Sequence, residues 1–501
     1  MTEEQGIRQW EEQSPFLRFV LRYGIALIMI VFYGTTALHF DYTPDDTYIY
    51  LQYARNLAAG DGFSFNDDTP GYGVTGPLWT VLIAAGTGAG LDPYVVAKTL
   101  DLLFASLAIL VIYILAFVIL QDKLFALMVA WMLSFDAWFL RWTTSGLEPS
   151  LAVLLSILVV WYAYRKEYGI ASFVTGVLAL VRPEGALMML AVTGDILLNG
   201  ERGSERTLRL VRSMLVFGVV VGVWLVIAFV HFGSIVPLLF QKAFAAGFDP
   251  ATYLGVWLST VNILGATQGV VIVTLLAGLF WIVRNRGWWM LREDGFPLIW
   301  TVALPAVYLL FHVPVASRDL LPVIPFLIFY AVWSIKKLER LSMLSPQKAM
   351  GVVLLLAGVS LAQNQYVYQS RVVPHMRNFT MGMEECIRPI AHWLRTNTAE
   401  DATVLAPDAG LIGYVSGRKM YETSGLLTPV VKAAFEGMSY DEGMISGRYL
   451  RVVQPDYIID RSPTPDRLVS DSLQPLMTRT FSGLGISKTE LVYYTLYKRG
   501  R

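Results

Sequence analysis

The chain has 501 residues, of which 55% are hydrophobic and 16% are charged. Soluble globular proteins contain about 25% charged residues, so this composition excludes an ordinary soluble enzyme and favours a membrane protein. Equal numbers of basic and acidic residues, 39 of each, give no net charge and exclude bulk attraction to nucleic acid. The single cysteine, Cys386, excludes an intramolecular disulfide and a multi-cysteine metal site.

Apolar runs that reach or approach the ~20 residues of a bilayer crossing recur up to about residue 367. They predict a polytopic α-helical membrane protein whose first helix is not a cleaved signal. The predicted transmembrane helices, about eleven in number, are 17–38, 94–120, 124–138, 148–164, 169–181, 185–199, 209–232, 266–284, 297–312, 319–335 and 349–367. Several are short for a full crossing, which favours broken or tilted helices.

The segments that connect these helices alternate between rich and poor in basic residues. The rich set contains Arg8, Arg18, Lys123, Arg165, Lys166, Arg202, Arg206, Arg209, Arg212, Arg284, Arg286, Arg292, Lys336, Lys337, Arg340 and Lys348. Because cytoplasmic loops carry an excess of lysine and arginine, we predict a cytoplasmic N-terminus. An odd number of crossings then places the C-terminus outside.

The segment PLWTVLIAAGTGAG at 77–90 is also apolar. A full crossing there would invert every later loop and put the basic segments outside. We therefore predict a re-entrant or interfacial element within a long first external loop at about 39–93. A true crossing, with another crossing misassigned, is the alternative.

Composition changes after about residue 370, where polar residues, glycine and proline return. We predict a transmembrane module at 1–369 and a separate extracytoplasmic α/β domain at 370–501. A helix is expected at about 380–397, and strands are expected at ATVLA, PDYIID and LVYYTLYK.

Nearly all ionisable residues in or beside the apolar segments fall on one predicted face of the membrane, and Asp195 is the exception. The residues on this face are Asp45, Asp46, Lys98, Asp101, Asp136, Arg141, Glu148, Arg182, Glu184, Arg318 and Asp319. Charges at membrane depth are costly and usually functional, so this external face is expected to carry a reaction site. Lys98 and Asp101, three residues apart, are expected to form a structural pair. Lys242 and His312 are further external candidates.

The first external loop places two carboxylates directly after Pro44, at the start of a predicted amphipathic helix on the membrane interface. Asp45 and Asp46 either act in the site or cap this helix. Arg318 begins a later helix, where its guanidinium either grips a phosphate or extends to the interface as an ordinary arginine. Arg182 and Glu184 share the short turn VRPEG, and the alternative to a functional role is a satisfied turn pair.

Five sequence elements together resemble the GT-C superfamily of polyprenyl-phosphate-sugar-dependent glycosyltransferases. They are the Asp45-Asp46 pair, TYIYLQYARNLAAGDGFSFN, SGLEP, VRPEG and RDLLPVIP. Within it, the chain is most similar to bacterial membrane arabinofuranosyltransferases that add terminal arabinose to mycobacterial cell-wall arabinan. LAPDAGLIGYVSGRKMYETSGLL is similar to the soluble tail of such proteins.

The resemblance implies inverting transfer of a sugar from a polyprenyl-phosphate donor, such as decaprenyl-phosphate-arabinofuranose. The acceptor would be an extracytoplasmic glycan, lipid or protein. The resemblance also implies a monomer in a bacterial plasma membrane, with the active site and the C-terminal domain outside. The superfamily's first-loop acidic residue corresponds to Asp45. Many members have Asp-Glu where this chain has Asp-Asp, so Asp46 remains a second candidate for the base.

Glycosyl transfer needs a base for the acceptor hydroxyl and a group that stabilises the departing phosphate. We expect Arg318 and Arg182 to bind the donor phosphate, and Glu148, Glu184 and Tyr48 to position the substrate. Acidic residues from separate loops can also hold a divalent cation such as Mg²⁺, Mn²⁺ or Ca²⁺. Neutralisation by arginine alone is the alternative.

A secondary transporter is the main alternative from another functional class. It predicts charges near the bilayer midplane and two related halves, whereas the charges here lie at one interface and no repeat is evident. A different lipid-linked transferase is a second alternative. It would place histidine, threonine or metal ligands in a large external domain, and the chain has five histidines without metal-ligand spacing.

Overall fold

The computed structural model describes residues 15–66, 71–199, 203–235, 250–287, 298–311, 313–482 and 491–500. The N-terminal helices are α1 Pro15–Ala37, α2 Asp45–Ala59, α3 Pro77–Gly88, α4 Pro93–Leu120, α5 Lys123–Ser134, α6 Ala137–Trp142, α7 Pro149–Tyr164, α8 Tyr168–Val181 and α9 Met188–Asn199. The next are α10 Ser204–Phe232, α11 Pro250–Arg286, α12 Leu298–Leu310, α13 Ile324–Arg340 and α14 Pro346–Asn397. Short 3₁₀ segments at Pro183–Leu187 and Ser317–Val323 precede α9 and α13. Outside the described residues lie Arg8, Arg202, Lys242, Arg292 and His312.

The protein is a multi-pass membrane protein. Six of the described helical stretches are long and apolar enough to cross a membrane: α1, α4, α10, α11, α14 and the stretch Ser317–Arg340 that contains α13. Five shorter apolar helices accompany them: α3, α5, α7, α8 and α12. At 1.5 Å per residue, the 12 residues of α3 span about 18 Å, less than the ~30 Å hydrocarbon core. This helix is therefore shorter than the hydrocarbon core, as is α5 with the same number of residues.

Several predicted helix boundaries are wrong for identifiable reasons. The helix predicted at 124–138 ends at Ser134, because the Asp136 side chain accepts the N–H of Phe139 and starts α6. Helix α11 begins at Pro250 instead of 266, so residues 250–265, predicted to connect two transmembrane helices, are helical. Helix α14 continues to Asn397 through two π-helical turns, past the proposed domain boundary at 369. Because each helical hydrogen bond joins residues only four apart, the helix can continue past the point where the sequence becomes polar.

The first external loop is covered by protein. In α2 nine residues are buried, and the helix packs against α3 and against a short helix of the C-terminal region. Helix α2, which is predicted to lie on the membrane interface, is therefore largely covered by protein. The C-terminal region packs against α2, a helix whose hydrophobic side chains are predicted to contact lipid.

The C-terminal region contains a five-stranded mixed sheet with the order β2-β1-β3-β5-β4. Its strands are β1 Thr403–Ala406, β2 Lys419–Glu422, β3 Tyr457–Ser462, β4 Leu473–Ser482 and β5 Leu491–Arg499. Its helices are α15 Gly410–Ser416, α16 Lys432–Phe435, α17 Tyr440–Ser446 and α18 Tyr449–Val452. The strands predicted from ATVLA, PDYIID and LVYYTLYK are β1, β3 and β5. Helix α15 joins the parallel pair β1 and β2, as a parallel connection requires.

Lys98 and Asp101, which are predicted to form a structural pair, each fix neighbouring backbone segments through separate hydrogen-bond partners. Lys98 Nζ donates to the backbone carbonyls of Phe40, Tyr42 and Thr144. Asp101 accepts from the Ser145 and Ser150 hydroxyls and the Gly146 N–H. These two buried side chains of α4 therefore fix the turn that leads into α7.

Substitution of Asp101 by alanine should destabilise the fold markedly. It leaves buried donors in the turn at 145–150 without an acceptor, and each such group costs about 1–3 kcal/mol. The measurement is the unfolding midpoint in detergent. The control is Asp92→Ala, which removes an exposed cap from the same helix and should cost about 0.5–2 kcal/mol. Equal losses for the two variants would contradict this role of Asp101.

Candidate active site

The two carboxylates at the start of α2 have different partners. Asp45 accepts the backbone N–H groups of Gly410 (2.9 Å) and Leu411 (2.8 Å), where α15 begins. Asp46 pairs with Arg318, with 2.7 Å between Oδ2 and Nη1. Asp45 thus caps a helix of the C-terminal region, and Asp46 contacts the guanidinium that follows α12 in the chain.

The environment of Asp45 makes it a weaker acid than usual. Burial raises the pKa of Asp45 to about 7, and the nearby negative charge of Asp408 also raises it. Hydrogen bonds from Leu411 and Gly410 stabilise the ionised form and act in the opposite direction. A carboxylate with a pKa near 7 is suited to accept a proton at neutral pH.

Arg182 is the centre of a buried ionic network. Its Nε donates to Glu184 (2.6 Å), its Nη1 to Glu148 (3.1 Å) and its Nη2 to Asp319 (2.5 Å). The Tyr308 hydroxyl also donates to Glu184. Residues from three distant stretches therefore converge, and the Arg182–Glu184 turn pair, given above as the alternative to a functional role, is present within a larger cluster.

Substitution of Arg182 by alanine should lower the free energy of unfolding by about 3–5 kcal/mol, because three buried carboxylates lose the cation that they share. The unfolding midpoint in detergent measures this change. The control is Arg165→Ala, because the Arg165–Glu167 pair is exposed and such pairs contribute about 0–1 kcal/mol. A loss for Arg182→Ala as small as the control would show that the network does not stabilise the fold.

Arg318 is the more accessible arginine of the site. Its side chain is 28% exposed, against 10% for Arg182. The guanidinium lies 5.6 Å from the ring centroid of Trp142, whose indole N–H donates to the Ser317 hydroxyl. These contacts hold Arg318 in place while leaving part of its guanidinium open.

Two cavities meet at the Asp46–Arg318 pair, and both residues line both cavities. The first cavity, of about 470 Å³, is lined by six aromatic residues, by Arg141 and Arg371, and by Asp45 and Asp408, among others. The second, of about 380 Å³, is lined by the Arg182 network. Asp46, Arg318 and Arg182 therefore line one cavity, and Asp45 lines the adjoining one with Asp46 and Arg318.

Tyr48 is not brought into this cluster. Its hydroxyl accepts from Arg388 Nη2 at 3.3 Å, and its ring packs near that of Tyr414, outside the lining of the two cavities. Tyr50 lines the second cavity instead. Helical spacing from Asp46 could have suggested Tyr50.

The sequence reasoning gave no role to three other residues that line the cavities. Asp319 is adjacent to Arg318, and that adjacency was an available signal. Tyr308 and Asp408 had no such signal, because only the packing of distant segments brings them to the site.

A divalent cation, one of the two alternatives for neutralising the phosphate, does not fit the described residues. Among the described residues, no three histidine, cysteine, aspartate or glutamate side chains are grouped in a way that could hold a metal ion. Asp45 is bound by two N–H groups, and Asp46 is bound by Arg318. No step of the chemistry below is therefore routed through a metal.

Residues 375–497 match the family described as Domain of unknown function (DUF8728). No curated protein matches the chain. Among solved structures, the chain is similar to ArnT from Cupriavidus metallidurans in the apo state, at 14% identity and a TM-score of 0.61, over 94% of this chain and 97% of that one. The same protein bound to undecaprenyl phosphate gives 14% identity and a TM-score of 0.58, over 94% and 98%. The chain therefore shares the fold of these ArnT structures.

Proposed function

We propose that the protein is an inverting glycosyltransferase that moves a sugar from a polyprenyl phosphate to an acceptor hydroxyl. The observation that carries this proposal is the Asp46–Arg318 pair at the junction of two cavities, with Asp45 lining the first of them. The shared fold with ArnT, which has been crystallised with undecaprenyl phosphate, supports a lipid-phosphate donor.

Asp45 is assigned as the general base. It takes the proton of the acceptor hydroxyl while that oxygen forms a bond to the anomeric carbon. The bond between the anomeric carbon and the phosphate oxygen breaks, and its electron pair stays on the phosphate. The products are a glycoside and a polyprenyl phosphate, and single displacement inverts the anomeric configuration.

Arg318 is assigned to the phosphate. A guanidinium presents paired N–H donors to phosphate oxygens and stabilises the charge that grows as the bond breaks. Asp46 orients this guanidinium through its ion pair with Arg318 Nη1. Asp46 remains the second candidate for the base, because it also lines both cavities.

Arg182 is assigned to positioning, because three carboxylates already occupy its N–H groups. It holds Glu148 and Glu184 in the wall of the second cavity. Glu148 Oε2 is buried and has no hydrogen-bond partner within the part of the chain that the structure describes. Since a buried oxygen without a partner is costly, we assign it to a hydroxyl of the donor sugar.

We place the site on the extracytoplasmic side of a bacterial plasma membrane. Basic residues gather at the other end of the helices, where Lys336 contacts Asp122 and Arg340 donates to the Leu120 carbonyl. Excess basic residues mark the cytoplasmic side. The acceptor is then a glycan, lipid or protein outside the cell, and the C-terminal region shares that side.

The test is incubation of the purified protein, a monomer in this proposal, with radiolabelled polyprenyl-phosphate sugars. Decaprenyl-phosphate-arabinofuranose is the first donor, because the sequence resembles arabinofuranosyltransferases. Release of polyprenyl phosphate with labelled glycoside or free sugar is the expected result. Uptake into sealed vesicles without consumption of lipid would instead identify a transporter and overturn the proposal.

A further inference from the structure

The C-terminal region forms part of the first cavity. Asp408, Phe481 and Tyr494 line it together with Asp45 and Asp46. The short helix α15 also packs directly on α2, the helix that begins with both carboxylates. Part of the wall of the first cavity is thus built by the C-terminal region, from the segment after β1 and from strands β4 and β5.

The contact between this segment and Asp45 is unusually close. A Cβ atom at Gly410 would lie 2.2 Å from the Asp45 carbonyl oxygen and 2.8 Å from its Oδ2. Only glycine permits the approach that brings both N–H groups, of Gly410 and Leu411, to the Asp45 carboxylate. The fit is therefore specific to the residue at the start of α15.

Asp408 is itself held in a fixed position. Arg461 Nη1 donates to both of its oxygens, at 3.1 and 3.0 Å, and the Tyr494 hydroxyl donates to Oδ2. These two partners come from β3 and β5. The sheet thereby fixes a negative charge in the cavity wall near Asp45.

We propose that Asp408 and the backbone N–H groups of Gly410 and Leu411 are positioning groups for Asp45, and that the C-terminal region is therefore a component of the active site. This inference rests on the proposed function. The two N–H groups hold the carboxylate in one orientation and favour its ionised form. The fixed charge of Asp408 opposes them and keeps Asp45 basic.

The first test compares two glycine substitutions in the C-terminal region. Gly410→Ala should lower turnover by about 10²-fold, because a displacement near 1 Å in a reacting group can have that effect. The control is Gly443→Ala, where a Cβ would lie 2.2 Å from the Phe435 ring. Neither Gly443 nor Phe435 takes part in the hydrogen bonds to Asp45. This control disturbs the packing of the same region and should leave turnover within a few-fold of the wild-type value, on the order of an ordinary packing change.

The second test uses a pH profile and does not depend on whether Gly410→Ala folds. The acidic, basic and histidine side chains that line the first cavity with Asp45 are Asp46, Arg141, Arg318, Arg371, His375 and Asp408. Of these, Asp408 and Asp46 raise the pKa of Asp45, and each is paired with an arginine, Arg461 and Arg318 respectively. Asp408→Asn removes the negative charge of Asp408, so the pKa of Asp45 should fall. The acid limb of kcat/KM for decaprenyl-phosphate-arabinofuranose should then move to lower pH.

The matched control for this profile is Asp460→Asn. Asp460 accepts from Arg467 and the Tyr440 hydroxyl, much as Asp408 accepts from Arg461 and Tyr494, but it lies outside the lining of both cavities. The acid limb of the kcat/KM profile of Asp460→Asn should stay at the pH of the wild-type limb. Equal shifts for both variants, or an unmoved limb in Asp408→Asn, would overturn the inference. Absence of transfer by the wild-type protein with every donor would instead overturn the proposed function.

Discussion

Replacement of Asp45 by asparagine should lower the turnover number for sugar transfer by roughly 10²–10⁴-fold, the usual contribution of a general base. Asparagine keeps an oxygen that can accept one of the two N–H groups from Gly410 and Leu411. It cannot take a proton from the acceptor hydroxyl. The measurement is kcat with decaprenyl-phosphate-arabinofuranose at saturating donor.

Two controls separate catalysis from folding in this experiment. In Asp45→Asn the binding of undecaprenyl phosphate should change little, because Arg318 is untouched. The free energy of unfolding should fall by about 1–3 kcal/mol, because one of the Gly410 and Leu411 N–H groups loses its acceptor. Asp61→Asn removes an exposed carboxylate from the same loop and should retain wild-type turnover. If Asp46→Asn abolished turnover while Asp45→Asn retained it, the base would be Asp46.

The same assignment fixes the direction of the pH dependence. The pKa of Asp45 is raised to about 7 by burial and by the charge of Asp408. A base works only when it is unprotonated, so kcat/KM should fall as the pH drops through about 7. Profiles recorded between acidic and neutral pH measure this limb. An acid limb at the pH of an ordinary exposed aspartate would contradict the role of Asp45.

Replacement of Arg318 by alanine should lower kcat/KM for the donor by roughly 10²–10³-fold. This is the usual cost of removing a group that stabilises charge in the transition state. Arg318→Lys should recover part of that loss, because lysine keeps the charge but lacks the planar fork of donors. Initial rates over a range of donor concentrations, at fixed acceptor, measure both variants.

The control for Arg318 is Arg395→Ala, which removes an exposed positive charge outside both cavities and should retain wild-type donor kinetics. The KM for the acceptor should also change less than the donor parameters in Arg318→Ala. Donor kinetics equal to the wild type would remove Arg318 from the phosphate role and leave its pair with Asp46 as a structural contact.

The ionic network around Arg182 differs from the Asp46–Arg318 pair in a way that bears on these predictions. Arg182 has three carboxylate partners and little exposure, whereas Arg318 has one short contact and remains partly open. A saturated arginine has few donors left for a ligand phosphate. Substitution of Arg182 is therefore expected to affect stability first, and substitution of Arg318 to affect donor use first.

Local properties of the chain were sufficient to predict its membrane character and the shared face of its charged residues. The length of an apolar run and the distribution of arginine and lysine beside it depend on neighbouring residues only. They place Asp46, Arg182 and Arg318 at one end of the helices without knowledge of any contact. The apolar run of α3 and the strands β1, β3 and β5 were likewise readable from local pattern.

The tertiary structure alone decided which partner each charge has. Asp45 is bound by Gly410, 365 residues away in the sequence, and Arg182 is bound by Asp319, 137 residues away. Tyr48 and Tyr50 have similar local contexts, yet only Tyr50 lines a cavity. Contacts between distant segments arise from how helices and the C-terminal sheet pack together, and no local spacing of residues encodes that packing.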